Sequence, residues 1–210
     1  MSPSPTTEAP AGITGQLPPG LRIEHHRGEQ VAADPAPWAR AYEDVYAHAI
    51  ELSDHCDPPI AERLCRHARR PGFALVAAVH DGADGTAGGA GAVAGYLYGY
   101  TLPTDTLWWE GLTPSPDPEF VREYPGRTVG VCELLVAPAW RRSHVGATLF
   151  QHFLARRTEE RAAALIADGN TVVLGRYAAY GFEQAGTVEP YPGWRPHTMV
   201  VGTLDRLRRR

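Results

Sequence analysis

An arginine-rich corner directly follows the most apolar stretch of the chain. The sequence runs from TVGVCELLV at 128–136 into APAWRRSHVGA at 137–147. Pro138 ends the predicted strand, and a helix is predicted to begin at Arg141. The free backbone N–H groups at this helix start lie beside two arginines, and Gly146 allows backbone to approach a ligand closely. Such a corner predicts a binding site for a phosphate or diphosphate.

A second motif follows the short apolar run at 163–167. Asn170 precedes Tyr177 by seven positions, and the chain reads Y-x-x-x-G-F from Tyr177 to Phe182. Together the two motifs resemble the signature V-x-P-x-x-R/Q-x-x-G-x-G/A and the stretch N-x(6)-Y-x-x-x-G-F of the GNAT N-acyltransferase superfamily. The first signature is matched by Val136, Pro138, Arg141 and Gly146. The resemblance covers roughly residues 73–204.

This resemblance implies an acetyl-CoA site in a core of about 128–182. The pyrophosphate of CoA is expected on the corner, held by Arg141, Arg142, Ser143, His144, Val145, Gly146 and Ala147. Strand amides are expected to hold the acyl oxygen and the pantetheine arm, at Leu134, Leu135 and Val136. Asn170 is the expected pantetheine contact. Tyr177 is expected beside the thioester sulfur, as the general acid for the CoA thiolate.

His144 departs from the family pattern, because it stands where the first glycine is usual. A residue with a β-carbon and a positive φ would carry a cost of about 1 kcal/mol or more. If the position is helical, His144 costs little and can contact phosphate. The sequence leaves both conformations open.

Glu133 is the one charged residue of its apolar strand. A buried carboxylate has a raised pKa and can act as a general base, so Glu133 is a candidate catalytic residue together with Tyr177. Alternation predicts that Glu133 shares a face with Val131 and Leu135. The alternatives are a solvent-facing or edge glutamate and, for Tyr177, a packed core aromatic.

Trp108, Trp109 and Glu110 lie in a long segment before the central strand. They are candidates for an acceptor pocket, with aromatic walls and a carboxylate that suit a cationic amine. The alternative is a hydrophobic plug that anchors the segment.

The elements around these residues predict an α/β (α+β) domain with a mixed, mostly antiparallel sheet flanked by helices, as in GNAT proteins. Strands are predicted at 21–24, 73–80, 92–101, 128–136, 163–167, 182–189 and 199–204. Helices are predicted from 37, at 59–69, near 119, at 141–160 and at 172–180. Residues 1–20 are predicted to be disordered, and 21–210 to form a single N-acetyltransferase domain.

Composition narrows the class of partner. The net charge of −4 disfavours nucleic acid, and no apolar stretch is long enough to span a bilayer. Three cysteines without a C-x-x-C and scattered histidines predict no metal, and a reducing, cytoplasmic setting is expected. A homodimer is compatible with the sequence.

The resulting hypothesis is an enzyme that transfers acetyl from acetyl-CoA to a primary amine of a small molecule, by direct attack in a ternary complex. A protein or peptide amine is the alternative acceptor. A non-catalytic acyl-CoA-binding module on the same fold is the alternative from another class.

Overall fold

Seven strands form one sheet in the computed structural model, which describes residues 17–80 and 92–209. The strands are β1 Leu21–Arg27, β2 Ala74–His80, β3 Ala92–Thr101, β4 Thr128–Val136, β5 Arg161–Ala167, β6 Glu183–Val188 and β7 His197–Thr203. Their order across the sheet is β1-β2-β3-β4-β5-β7-β6. Every neighbouring pair is antiparallel except β4 and β5, which are parallel. The predicted fold class is therefore confirmed.

Helices cover both faces of this sheet. They are α1 Gly28–Ala33, α2 Ala36–Tyr46, α3 Ser53–Cys56, α4 Ile60–Ala68, α5 Pro118–Val121, α6 Val145–Leu154, α7 Thr171–Tyr180 and α8 Leu204–Arg208, with a 3-10 turn at Pro138–Trp140. Over the described ranges, none of them has both the length and the apolar character needed to cross a bilayer.

The sheet separates two hydrophobic cores. Leu97 of β3 points into the core formed with α6, α7 and α8, whereas its neighbours Tyr96 and Tyr98 point into the core formed with α2 and α4. This is the two-residue alternation of a strand that is buried on both faces. Each large apolar side chain buried in this way contributes about 1.5–3 kcal/mol.

Helix α6 is shorter than its predicted span of 141–160. It begins at Val145, because Arg142 and His144 both have positive φ, of 68° and 64°, and cannot be part of a right-handed helix. It ends at Leu154. The corner between β4 and α6 is therefore a loop of irregular backbone.

Three short helices, α1, α3 and α8, were not predicted, because each has too few residues to show a helical period. Of the segment predicted to be disordered, residues 1–16 lie outside the described residues, and Leu17 packs against the core. The connection expected between the strands at 73–80 and 92–101 also lies outside them, at 81–91.

A buried carboxylate holds the long segment before β4. The Oε1 atom of Glu123 accepts hydrogen bonds from Trp109 Nε1 (3.1 Å), Thr128 Oγ1 (2.7 Å) and Arg161 Nη2 (2.9 Å). The guanidinium carbon of Arg161 also lies 4.7 Å from the ring centroid of Trp109 and 4.9 Å from that of Phe120. The segment is thus tied to the first residues of β4 and β5.

We expect Arg161→Ala to lower the free energy of unfolding by about 3 kcal/mol, because the Glu123 carboxylate, 1 % exposed, would lose its cation. Urea denaturation measures the change. Arg66→Ala is the matched control, since Arg66 pairs with Glu62 on an exposed helix face and should change stability by less than about 0.5 kcal/mol. Equal losses in the two variants would contradict the anchoring role.

Candidate active site

The parallel pair β4–β5 opens before either strand ends. Their pairing stops at Val131 and Ala164, although β4 continues to Val136 and β5 to Ala167. Between these strand ends, the facing backbone N–H and C=O groups have no strand partner within the described residues. Buried backbone groups need partners, so the gap suits an extended ligand with hydrogen-bonding groups of its own.

A β-bulge in β4 changes which side of the sheet the residues before Glu133 face. Tyr98 of β3 pairs with Glu133, and the next β3 residue pairs with Val131, so Cys132 is an extra residue in the ladder. An extra residue shifts the alternation of side chains by one position. Glu133 shares a face with Leu135, as predicted, but Val131 lies in the opposite core, and the prediction is wrong in that respect.

The Glu133 side chain is half-buried and faces α2. Tyr46 Oη donates a hydrogen bond to Glu133 Oε1 (3.0 Å). Burial raises the pKa of Glu133 to about 7, and the charge of Arg63 and the Tyr46 hydrogen bond keep it from rising further. Because β4 is an inner strand and the carboxylate is bonded to a helix of the domain, Glu133 is neither an edge residue nor fully solvent-facing. A carboxylate with this pKa can accept a proton near neutral pH.

Tyr177 of α7 is a packed aromatic. Its ring packs against Phe150 and Phe182, with centroid distances of 6.2 and 4.9 Å. Burial raises the pKa of the phenol well above its usual range, and the negative charge of Glu133 raises it further. The phenol is therefore protonated at neutral pH.

The start of α6 presents free amides. The first intrahelical bond runs from Thr148 N to the carbonyl oxygen of His144 (2.9 Å), which leaves the amides of Val145, Gly146 and Ala147 without acceptors in the helix. Their N–H groups point out of the helix start, where its dipole is positive. The predicted corner amides therefore form one cluster.

The side chains of the corner leave this cluster accessible. Arg141, Arg142 and His144 are exposed, and Arg141 Nε donates only to the carbonyl oxygen of Val136 (3.4 Å). The Ser143 hydroxyl donates to the Trp140 carbonyl oxygen and closes the turn. A β-carbon on Gly146 would meet nothing nearer than a Val136 methyl at 3.5 Å. Packing among the described residues therefore does not require glycine at this position.

One side-chain atom of Asn170 has a structural role. It is the N-cap of α7, where its Oδ1 accepts from Val173 N (3.3 Å), a role typical of asparagine before a helix. Its side-chain amide nitrogen is the group that remains for a ligand. Asn170 lies at the start of the helix whose last turns carry Tyr177.

A polar cluster that was not predicted faces the β4 carboxylate from the helices. Arg63 donates to Tyr42 Oη (2.9 Å) and to the carbonyl oxygens of Asp54 (3.1 Å) and His55 (3.2 Å). Tyr42 Oη also lies 2.7 Å from His55 Nδ1, and its ring is 4.5 Å from that of Tyr46. The four-residue spacing of the two tyrosines on α2 was a usable signal, because it places both on one helix face.

The β6–β7 connection closes the outer side of this cluster. Arg195 donates to Asp54 Oδ2 from Nε (2.9 Å) and Nη2 (2.6 Å), and Trp194 Nε1 donates to the carbonyl oxygen of Asp57 (3.1 Å). The guanidinium carbon of Arg63 lies 5.8 Å from the ring centroid of Trp194. These contacts join residues 54–57 to 194–195, so the β6–β7 connection lies against the Arg63 cluster.

The tryptophans predicted for the acceptor pocket divide into two roles. Trp109 is buried and anchored by Glu123, so it is the plug of the alternative interpretation rather than a pocket wall. Trp108 is half-buried on the same face as Cys132, where its Nε1 donates to Tyr100 Oη (3.3 Å). Glu110 is exposed. Among residues 17–80 and 92–209, no group of three or more metal-ligating side chains occurs.

Comparison with solved structures shows a shared fold. An aminoglycoside 6'-acetyltransferase type Ii superposes with a TM-score of 0.56 at 15 % identity, covering 87 % of this chain and 97 % of its own. Salmonella typhimurium yncA, whose structure includes its cofactor acetyl-CoA, gives 0.54 at 17 % identity over 89 % and 95 %. A Bacillus cereus acetyltransferase of the GNAT family gives 0.52 at 12 % identity over 87 % and 96 %. No protein-family model and no curated protein matches the sequence.

We expect His144→Gly to raise the free energy of unfolding by about 0.5–1 kcal/mol, because glycine removes the left-handed strain at φ 64° while adding some unfolded-state entropy. His144→Ala is the control, since it removes the imidazole but keeps a β-carbon in the same backbone conformation. Denaturation midpoints measured without ligand compare them. Equal stabilisation by both substitutions would mean that the imidazole, not the backbone, carries the cost.

Proposed function

We propose that this chain, which has the fold of the GNAT acetyltransferases, transfers an acetyl group from acetyl-CoA to the primary amine of a small molecule. One observation carries the proposal. The pairing of β4 with β5 ends at Val131 and Ala164, before Glu133 on β4; the charge of Glu133 acts on the pKa of Tyr177, and the free amides of α6 follow the end of β4.

The corner and the strand ends fit CoA. The amides of 145–147 and the exposed guanidinium groups of Arg141 and Arg142 would hold the pyrophosphate, with Ser143 shaping the turn and His144 beside it. Backbone groups of Leu134, Leu135 and Val136 would pair with the pantetheine amides and the acyl oxygen, and the Asn170 amide nitrogen would contact the same arm. The ligand would take the place of the missing strand partner.

Acetyl-CoA supplies the acetyl group as a thioester. In the ternary complex, Glu133 accepts one proton from the attacking amine, directly or through water, and Tyr177 donates one proton to the departing sulfur. A carbon–nitrogen bond replaces the carbon–sulfur bond, and the products are an amide and the CoA thiol. Both groups begin in the required state near pH 7, because Glu133 is partly ionised and the phenol is protonated.

Enclosure favours a small acceptor over a protein or peptide. The links from Arg195 and Trp194 to residues 54–57 would close one side of an acceptor space beside Glu133, whereas a peptide would need an open groove. Trp108 supplies a candidate aromatic wall further along β4, and Glu110 remains a candidate at the rim. The paired acid and base argue against a non-catalytic acyl-CoA-binding module.

The test combines binding and turnover. Addition of acetyl-CoA should raise the melting temperature, and a pooled library of small amines should then release free CoA thiol, with the acetylated product identified by mass spectrometry. A melting shift without thiol release across the library would support the binding module. The absence of both would contradict the proposal.

We expect Tyr177→Phe to lower kcat about 100-fold and to change acetyl-CoA affinity less than about threefold, because the substitution removes a proton donor but keeps the packed ring. Tyr180→Phe is the matched control, because Tyr180 lies on the same helix as Tyr177 and its ring also packs on Phe150, with a centroid distance of 4.9 Å. Steady-state rates and calorimetric titration measure both parameters. An unchanged kcat would remove Tyr177 from the acid role.

We expect kcat/KM to rise with pH through about 7, as Glu133 loses its proton and becomes a competent base. Glu133→Gln should remove this inflection and lower the rate about 100-fold, whereas Glu43→Gln on the exposed face of α2 should change neither. Deprotonation of the acceptor amine causes a further rise at higher pH in every variant. An inflection near 7 that persists in Glu133→Gln would belong to another group.

A further inference from the structure

We propose that the acceptor amine also carries a carboxylate and that Arg63 of α4 binds this carboxylate, which makes an α-amino acid or a similar amino-carboxylate the substrate class. The inference rests on the proposed function, because it places the acceptor amine at Glu133, in a space beside the Arg63 cluster.

Arg63 is a cation built into this space. Its guanidinium is anchored by the Tyr42 hydroxyl and two carbonyl oxygens of residues 54–55, and its Nε atom is buried with no hydrogen-bond partner. Neutral anchors orient the group without neutralising it. A buried N–H donor without an acceptor is costly, and a substrate carboxylate would supply the acceptor.

The charges around the space favour an anionic group on the substrate. Asp54, the carboxylate nearest to Arg63 on α3, is already bonded twice by Arg195. Burial lowers the pKa of His67 to about 4, so this imidazole is neutral at pH 7, and burial lowers the pKa of His55 as well. Within the described residues Arg63 forms no salt bridge, and its charge acts on Glu133, which is the group that must receive the proton of the amine.

Glu133 and Arg63 can serve the two ends of one molecule. Arg63 is linked to Glu133 through two tyrosines: it donates to Tyr42 Oη, the Tyr42 and Tyr46 rings lie 4.5 Å apart, and Tyr46 donates to Glu133. An amine at Glu133 with a carboxylate toward Arg63 would satisfy both, whereas a polycationic acceptor would bring a second positive charge toward the guanidinium. The half-buried Trp194 ring, 5.8 Å from the guanidinium carbon, offers an apolar wall for the body of the molecule.

The experiment compares α-amino acids with their carboxamides and with the amines left after decarboxylation, using CoA thiol release to obtain kcat/KM. The carboxamide has nearly the same shape without the charge, and its amine loses a proton more easily, so a preference for the acid cannot come from amine basicity. We expect the unaltered protein to prefer the acid by 10- to 100-fold, the range of a charge-assisted hydrogen bond.

Arg63→Gln should bring the ratio of kcat/KM for the acid to kcat/KM for the carboxamide close to one. Arg63→Lys should retain part of the preference, because lysine keeps the charge without the planar fork. Arg66→Gln, on the exposed face of the same helix, should leave the ratio unchanged. This ratio distinguishes binding of the substrate carboxylate by Arg63 from a purely structural role of Arg63. Loss of a structural role would lower kcat/KM for the acid and for the carboxamide equally.

Two results would overturn the inference while leaving the proposed function intact. One is an unaltered protein that acetylates carboxamides or decarboxylated amines as well as the acids. The other is a loss in Arg63→Gln that is equal for acid and carboxamide. Release of no CoA thiol with any amine, including the pooled library, would instead contradict the proposed function, and this inference with it.

Discussion

The separation of β4 from β5 beyond Val131 and Ala164 is the constraint on which the rest of the site depends. An unpaired backbone group inside a sheet costs on the order of 1–3 kcal/mol, so a strand pair stays open only where something holds it. Here the closed end is held: Thr128 and Arg161, the first paired residues, both bind the buried Glu123 carboxylate. The strands are fixed at one end and offer their unpaired groups at the other.

The open end brings together groups that belong to opposite layers. Glu133 faces the α2–α4 core because of the bulge at Cys132, and Tyr177 belongs to the α6–α7 core. In an unbroken sheet the backbone would separate them. Local strain accompanies the arrangement at the corner, where Arg142 and His144 adopt left-handed backbone conformations. Strain of this kind fits the proposed CoA site, because a turn shaped for binding need not be the most stable one.

On the proposed acceptor side, the positive charge of Arg63 is oriented by neutral hydrogen-bond acceptors. Arg63 is oriented by a tyrosine hydroxyl and carbonyl oxygens, while the carboxylate of Asp54 is bonded to Arg195. The same few contacts both hold residues 54–57 against 194–195 and fix the positions of the charged groups around Arg63. Net charge of the whole chain, which is negative, therefore says little about the local charge that a substrate meets.

The sequence by itself determined the fold class, the approximate strand positions and the corner between β4 and α6, because these depend on local periodicity and on residues close together in the chain. It could not show that Val131 and Glu133 lie on opposite sides of the sheet, since one extra residue in a strand reverses the alternation and leaves no mark in composition. It also left open the backbone at His144 and the roles of Trp108 and Trp109. The contacts of Arg63 join segments far apart in sequence, and only tertiary packing brings those segments together.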